Sequence, residues 1–190
     1  MRAAVCDYGA GNVRSVMVAL SRLGVEARVT TRPDDVLEAD LAVLPGVGAA
    51  ASAMDGLRAA GLDGALRERL DAGRAIVGIC LGLHLALHES EEDGGVAGLA
   101  LVPGRARRLA GGRVPRIGWA PVEPLGEEFY FAHSFAAETP AASALSEGLV
   151  AEVRCGSFVG VQFHPEKSGP AGARYLAREL EAARAGSDVS

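Results

Sequence analysis

The sequence predicts an α/β fold: a mostly parallel sheet flanked by helices, with an antiparallel extension towards the C-terminus. Two observations carry this. Up to about His88, short apolar runs alternate with stretches of helical spacing, in the β-α-β-α order that a parallel sheet requires. After Gly94 that alternation stops, and strand-like runs follow one another across short turns. The 190 residues suit one domain, expected over 1–185, with 186–190 as a frayed tail.

Ala3–Cys6 is a short apolar run ending in Asp7, which reads as a buried strand. Val13, Val16, Met17, Leu20 and Leu23 then recur at helical spacing from Asn12, and Gly24 stops the helix. Val25–Thr30 is a second strand, and Pro33 sits near the start of a short helix. Leu41–Leu44 is a third strand, closed by PGVG. Two helical stretches fill Ala50–Ala72, broken near Gly61. Ala75–Ile79 is a fourth strand, followed by a turn at Cys80 and a helix to about His88. Leu99–Leu109, Pro121–Pro124, Phe129–Ala132, Leu149–Arg154 and Phe158–Gln162 read as strands in antiparallel hairpins. Ala171 to about Ala185 makes the last helix.

Composition excludes several function classes. The net charge of −5 argues against a broad nucleic-acid surface. Three cysteines, Cys6, Cys80 and Cys155, form no CxxC pair, so neither a disulfide framework nor a four-cysteine zinc site is expected. No apolar run approaches the ~20 residues of a membrane span, and the N-terminus does not read as a signal peptide. A reducing cytoplasm with a free Cys80 thiol is the expectation. The YGAGN segment follows a strand, but Arg14 replaces the third glycine of a dinucleotide fingerprint. No acid ends the second strand, which finishes in Thr30 and Thr31. No Walker lysine is present, and no cofactor or metal is expected.

The stretch GICLG, Gly78–Gly82, joins a strand to a helix and has the form of a nucleophile elbow with cysteine at its apex. Side chains at Gly78 and Gly82 would clash in so tight a turn. A helix N-terminus favours a thiolate there. A cysteine buried in an apolar strand for packing alone is the competing reading, and a base with its own orienting group separates the two. His84 and His88 follow Cys80 at i+4 and i+8, a spacing that admits a metal face, but no carboxylate completes it. His164 is the stronger partner. Pro165 ends the strand before it, and Glu166, two residues on, can hold one ring nitrogen while the other faces the thiol. A surface histidine beside a loop glutamate is the alternative.

The elbow GICLG, the loop LPGVGA and the segment QFHPEKSG together resemble the class I (triad) glutamine amidotransferases. DYGAGNVRSV, LPGVGAAASAM, RVPRIGW, YFAHSF and GVQFHPEKSG look, in order, like the glutaminase subunits of imidazole glycerol phosphate synthases. The resemblance runs from Val5 to about Leu180. It implies the three-layer fold of that class and a glutaminase that feeds ammonia to a (β/α)8-barrel cyclase subunit. In that reading Cys80 attacks the side-chain amide of L-glutamine, His164 relays protons, and Glu166 orients His164. Backbone N–H groups near Val47, Gly48 and Leu81 would form an oxyanion hole, worth roughly 3–4 kcal/mol per donor. Glu92 matches the carboxylate that holds the substrate ammonium, and Ser134 and Phe135 match backbone contacts to glutamine. Asn12, Trp119, Tyr130 and Lys167 match positions facing the partner or the ammonia exit, though Trp119 and Tyr130 also fit a core.

The chain departs from the family pattern where Leu83-His84 replaces Met-Gln, Arg116 and Ala120 replace a histidine and an asparagine, and Phe135 replaces a tyrosine. These departures are expected at the substrate pocket and the partner face. Histidine cannot donate and accept as an amide does. They keep open a paralogous subunit serving a different synthase, or a non-catalytic scaffold. An unrelated cysteine hydrolase or redox sensor is opposed by the His164–Glu166 pair. The arginines at 105, 107, 108, 113 and 116 form either a docking patch or a solvated hairpin face.

Overall fold

A computed structural model describes residues 1–9 and 12–187, the side chains of 186 and 187 excepted. The YGAGN loop centre and residues 188–190 lie outside the described part. In chain order the first half comprises β1 (Arg2–Cys6), α1 (Val13–Arg22), β2 (Glu26–Thr30), α2 (Pro33–Glu38), β3 (Leu41–Leu44), α3 (Ala50–Ala59), α4 (Leu62–Asp71), β4 (Ile76–Ile79) and α5 (Leu81–Ala86). The second half comprises β5 (Glu89–Ser90), β6 (Val96–Ala97), β7 (Arg105–Arg108), β8 (Arg116–Val122), β9 (Glu127–His133), β10 (Phe135–Glu138), β11 (Ala142–Ser146), β12 (Leu149–Cys155), β13 (Phe158–Val161) and α6 (Gly169–Ser187).

Among the described residues, seven strands form the main sheet in the order β11-β12-β13-β4-β3-β1-β2. The five strands from β13 to β2 run parallel, while β11 and β12 are antiparallel additions. Alternation along each strand feeds two cores. Ala4, Cys6, Ala42, Leu44, Ile76, Val153 and Phe158 face Val36, Met54, Leu57, Leu66 and Leu83 from α2–α5. Ala3, Val5, Leu41, Val43, Val77, Ile79, Ala151 and Val161 face Val16 and Leu20 of α1, Tyr175 and Leu180 of α6, and Phe129 and Phe131 of β9. Three layers result. Arg69 of α4 is fully buried and donates to the carbonyls of Val36, Ala39, Asp40 and Ala75, which ties α4 to α2 and to the residues leading into β3 and β4.

The expected α/β order holds through α5, including the break at Gly61, where φ is 68°. The extension differs in three ways. β13 is the return arm of a hairpin with β12, as expected, but its other edge is not free: it pairs parallel to β4, with Ile79 opposite Val161. The apolar run Leu99–Val102 is not a strand. It is buried, and its N–H groups bond the carbonyls of Leu85, Ala86 and Leu87, so it satisfies the open end of α5. Finally, β8 starts at Arg116, well before Pro121, and pairs with β9 as a separate two-stranded ribbon. The remaining strands, β10-β7-β5-β6, make a small sheet. The last helix starts at Gly169 and is described through Ser187.

One of the tight backbone approaches in the molecule lies at the elbow. A Cβ at Gly82 would collide with the carbonyl oxygen of Leu44, at the end of β3. Gly82→Ala is therefore expected to lower the urea midpoint by the equivalent of about 3 kcal/mol or more, as for an overpacked core. Gly64→Ala, on the exposed side of α4 with open space around it, is expected to raise it by about 0.5–1 kcal/mol.

Candidate active site

Cys80 sits between the last residue of β4 and the first turn of α5, at φ 51° and ψ −105°. A non-glycine residue in that region stores roughly 1–3 kcal/mol and persists only where its surroundings hold it. Here its N–H donates to Val161 O at 2.6 Å, its carbonyl accepts the His84 N–H at 3.3 Å, and the PGVG segment presses on it from β3. A Cβ at Gly46 would meet Ile79 O and the amide nitrogens of Leu81 and Gly82. The Tyr8 hydroxyl donates to Pro45 O from the far side.

The strand beside β4 delivers the base. The His164 N–H donates to Tyr130 O at 2.9 Å, and Ser168 Oγ donates to His164 O at 2.7 Å, so the backbone there is held on both sides. Its Nδ1 lies 2.8 Å from Glu166 Oε1, and both side chains are 1% exposed. Burial alone would push the imidazole down. The nearby Cys80 sulfur and the Glu166 carboxylate overcome that and raise it to about 9. Protonated at neutral pH, it is an imidazolium held between the Cys80 sulfur and the Glu166 carboxylate. His164 Nε2 and Glu166 Oε2 are two of the three buried side-chain polar atoms that lack a well-aligned hydrogen-bond partner among the described residues. Open valences of this kind concentrate where a ligand or a reaction completes them.

A cleft of about 240 Å³ opens over the sulfur, lined by Val47, Gly48, Leu81, His84, Glu92, Ser134 and Phe135 among others. Every residue expected to contact substrate is therefore in one place. Glu92 is partly buried there; burial and the neighbouring Asp93 raise its carboxyl, against a hydrogen bond from the Ala50 N–H. A cation entering the cleft would reverse that shift. A larger groove, about 820 Å³, lies at the opposite ends of the strands between Arg2, Asp40, Arg74, Arg154 and Glu179. Its arginines are already bonded, Arg154 to Glu152 and Glu179, and Arg74 to Leu37, Glu38 and Ala39 carbonyls, and among the described residues neither cysteine nor histidine lines it.

Two buried residues of the site escaped the sequence reading. Gln162 donates its Nε2–H to Cys80 Sγ at 3.6 Å. It stands two positions before His164, the spacing that puts both on one face of an extended chain, and that was the available signal. His133 lines the cleft beside Ser134; its Nδ1 bonds Phe135 O at 2.8 Å, and burial pushes the ring down to about 4 despite that bond. Arg116 approaches the other side of His133, stacks 4.2 Å above the Phe131 ring and pairs with Glu147.

The departures sort differently from expectation. His84 and Phe135 line the cleft, but Ala120 is buried in the core beneath β8 and faces neither substrate nor surface. The three-residue metal face does not form, because α5 stops at Ala86 and leaves His88 beyond it. Trp119 is 55% exposed and packs edge-on against half-buried Tyr130, with ring centroids 6.1 Å apart, so Trp119 is not core. Lys167 is exposed, and Asn12 precedes α1, which packs against the turn carrying Glu166. Arg105 and Arg107 pair with Glu138 and Glu91 on the small sheet.

The sequence model of the class-I glutamine amidotransferase family matches residues 4–183. The chain belongs to that family. This amidotransferase is 44% identical to the imidazole glycerol phosphate synthase subunit HisH of Carboxydothermus hydrogenoformans, over 90% of this chain and 95% of that one. It is 40% identical to the chloroplastic imidazole glycerol phosphate synthase hisHF of Arabidopsis thaliana, over 93% of this chain and 33% of that protein. A solved glutamine amidotransferase superposes with a TM-score of 0.80 over 94% of this chain and 98% of that one, at 22% identity. No helix of the amidotransferase among the described residues is long and apolar enough to cross a membrane.

The imidazolium state of His164 can be read directly. In an NMR titration its ring is expected to stay protonated through neutral pH and to lose its proton near pH 9. Cys80→Ala and Glu166→Gln each remove one of the groups that raise it, so both are expected to move the midpoint down. A midpoint at the ordinary histidine value of about 6.5 in the unmodified chain would contradict the ion-pair geometry.

Proposed function

We propose that this amidotransferase is the glutaminase subunit of an imidazole glycerol phosphate synthase. It hydrolyses L-glutamine at Cys80 and passes the ammonia to a (β/α)8-barrel cyclase subunit, which forms imidazole glycerol phosphate and AICAR in histidine biosynthesis. The observation that carries the chemistry is the Cys80 elbow facing a buried His164–Glu166 pair. The matched relatives favour this partner over a different synthase or a scaffold role. Cytoplasmic location fits the three free cysteines.

The steps follow from the charges. The Cys80 thiolate attacks the carboxamide carbon, and the oxyanion that forms is met by N–H groups of the Val47–Gly48 segment and Leu81. His164, already protonated, gives its Nε2 proton to the departing nitrogen, so ammonia leaves and a thioester remains. Neutral His164 then takes a proton from water as that water attacks the thioester, releasing glutamate and restoring thiolate and imidazolium. Glu166 holds Nδ1–H throughout and keeps Nε2 aimed at the reacting atoms. Glu92 would hold the substrate ammonium. Exposed Ile117 and Trp119 on β8, with Tyr130 and Lys167, offer the surface for the cyclase.

The decisive experiment is glutamate production by the chain, with and without a histidine-pathway cyclase. Cys80→Ala is expected to lower the rate by about 10⁴-fold or more in both conditions. Retention of glutamine hydrolysis in Cys80→Ala, or failure of the cyclase to bind and draw ammonia from the chain, would overturn the proposal. Glu92→Gln is expected to raise KM for glutamine about tenfold or more with kcat changed far less, since it removes one charge-assisted bond to the bound substrate.

A further inference from the structure

Gln162 is fully buried, touches the reacting sulfur, and has no part in the mechanism above. Its place is dictated by the sheet. With Ile79 opposite Val161, the next residues of the two parallel strands are Cys80 and Gln162. The two ends of its amide have nearly the same shape but opposite hydrogen-bonding character. If nitrogen faces the sulfur, a thiolate receives a donor; if oxygen does, a thiolate meets a lone pair.

His84 decides between them. Its Nε2 lies 2.8 Å from Gln162 Oε1, one helical turn past the elbow. Burial lowers this imidazole, outweighing the bond to Gln162, and leaves it neutral at neutral pH. As the Nε2–H tautomer it donates to Oε1 and leaves the Gln162 Nε2–H directed at Sγ. The opposite tautomer would offer a lone pair, turn the amide, and place its oxygen against the developing charge.

We propose that Gln162 is a second donor to the Cys80 sulfur, independent of His164, and that His84 is the residue that positions it. The chain His84 Nε2–H to Gln162 Oε1, and Gln162 Nε2–H to Cys80 Sγ, stabilises the attacking thiolate. It also stabilises the same thiolate when it is expelled from the thioester. His84, which departs from the family pattern, thereby acts beneath the cleft rather than only as a contact to substrate. This rests on Cys80 being the nucleophile of the proposed reaction.

The test reads the thiol itself, so it is separable from whether glutamine is hydrolysed. Iodoacetamide alkylation of Cys80 in the full chain is followed by mass spectrometry of the Cys80 peptide, from about pH 6 to about pH 10. Gln162→Leu is expected to slow alkylation about tenfold at neutral pH and to converge with the unmodified chain at the alkaline end, as loss of one bond to an anion predicts. kcat for glutamine is expected to fall in Gln162→Leu, with KM within about twofold, because Gln162 does not line the cleft. His84→Leu is expected to slow alkylation about threefold or more, and His84→Gln, whose amide can still donate to Oε1, to restore it. Alkylation of Gln162→Leu at the unmodified rate across the range would overturn the proposal. So would identical profiles for His84→Leu and His84→Gln, a comparison that stands even if Gln162→Leu does not fold. Absence of glutamine hydrolysis with the alkylation pattern intact would instead overturn the glutaminase reading alone.

Discussion

The site depends on one backbone pairing, β4 with β13. The first strand closes the β-α half of the chain, and the second follows some eighty residues later, after two smaller sheets and the antiparallel pair β11–β12. Their parallel register puts Cys80 beside Gln162 and within reach of His164. A slip of one residue would turn every side chain of β13 to the opposite face. The register resists that slip because both faces are buried: Phe158 belongs to one core, and Val161 to the other. Packing on two sides of a strand thus holds a chemical alignment at its end.

That end carries several unfavourable features at once. Cys80 has a left-handed backbone, a glutamate and a histidine are buried together, and polar atoms of both lack partners. Each of these typically destabilises a fold by a few kcal/mol at most, and they persist because the surroundings leave no relaxed alternative. The PGVG segment cannot move away from the elbow without breaking the Tyr8 bond, and the elbow cannot open without losing the Cys80 bond to Val161. The raised imidazole of His164 expresses the same constraint electrostatically: the Glu166 carboxylate and the Cys80 sulfur are held against it where water screens little.

The sequence made the parallel half of the fold legible because its signals are local. Apolar runs of four or five residues, helical spacing and stop signals such as Gly24 and Gly61 each act within one element. The second half was harder because its strands are defined by distant partners. Leu99–Val102 is as apolar as any strand in the chain, yet it spends its N–H groups on the end of α5. Nothing within the run reveals that. β13 read as the return arm of a hairpin, which it is with β12, but nothing local shows that its other edge lies parallel to β4. The proposed triad comes from an elbow and a HisxGlu spacing in the sequence, whereas Gln162 offers no such motif. Its meaning comes from lying opposite Cys80, a fact of register. Ala120 shows the converse: a departure from a motif can mark a core position rather than a functional one.

The ribbon of β8 and β9 joins the outer surface to the catalytic base by a short path. Trp119, more than half exposed, sits opposite Tyr130 across the ribbon. Tyr130 accepts the His164 N–H through its carbonyl and donates its own N–H to Ser168 Oγ, which in turn bonds the His164 carbonyl. One residue therefore separates a protein seated on Trp119 from the backbone that aims the imidazole. Rigid hydrogen bonds on both sides of that residue transmit displacement rather than absorb it. Glutaminase chemistry is useful only when an acceptor is ready for the ammonia. A fold that ties the His164 backbone to Tyr130, on the ribbon that exposes Trp119, has the geometry to couple events at that outer face to the imidazole.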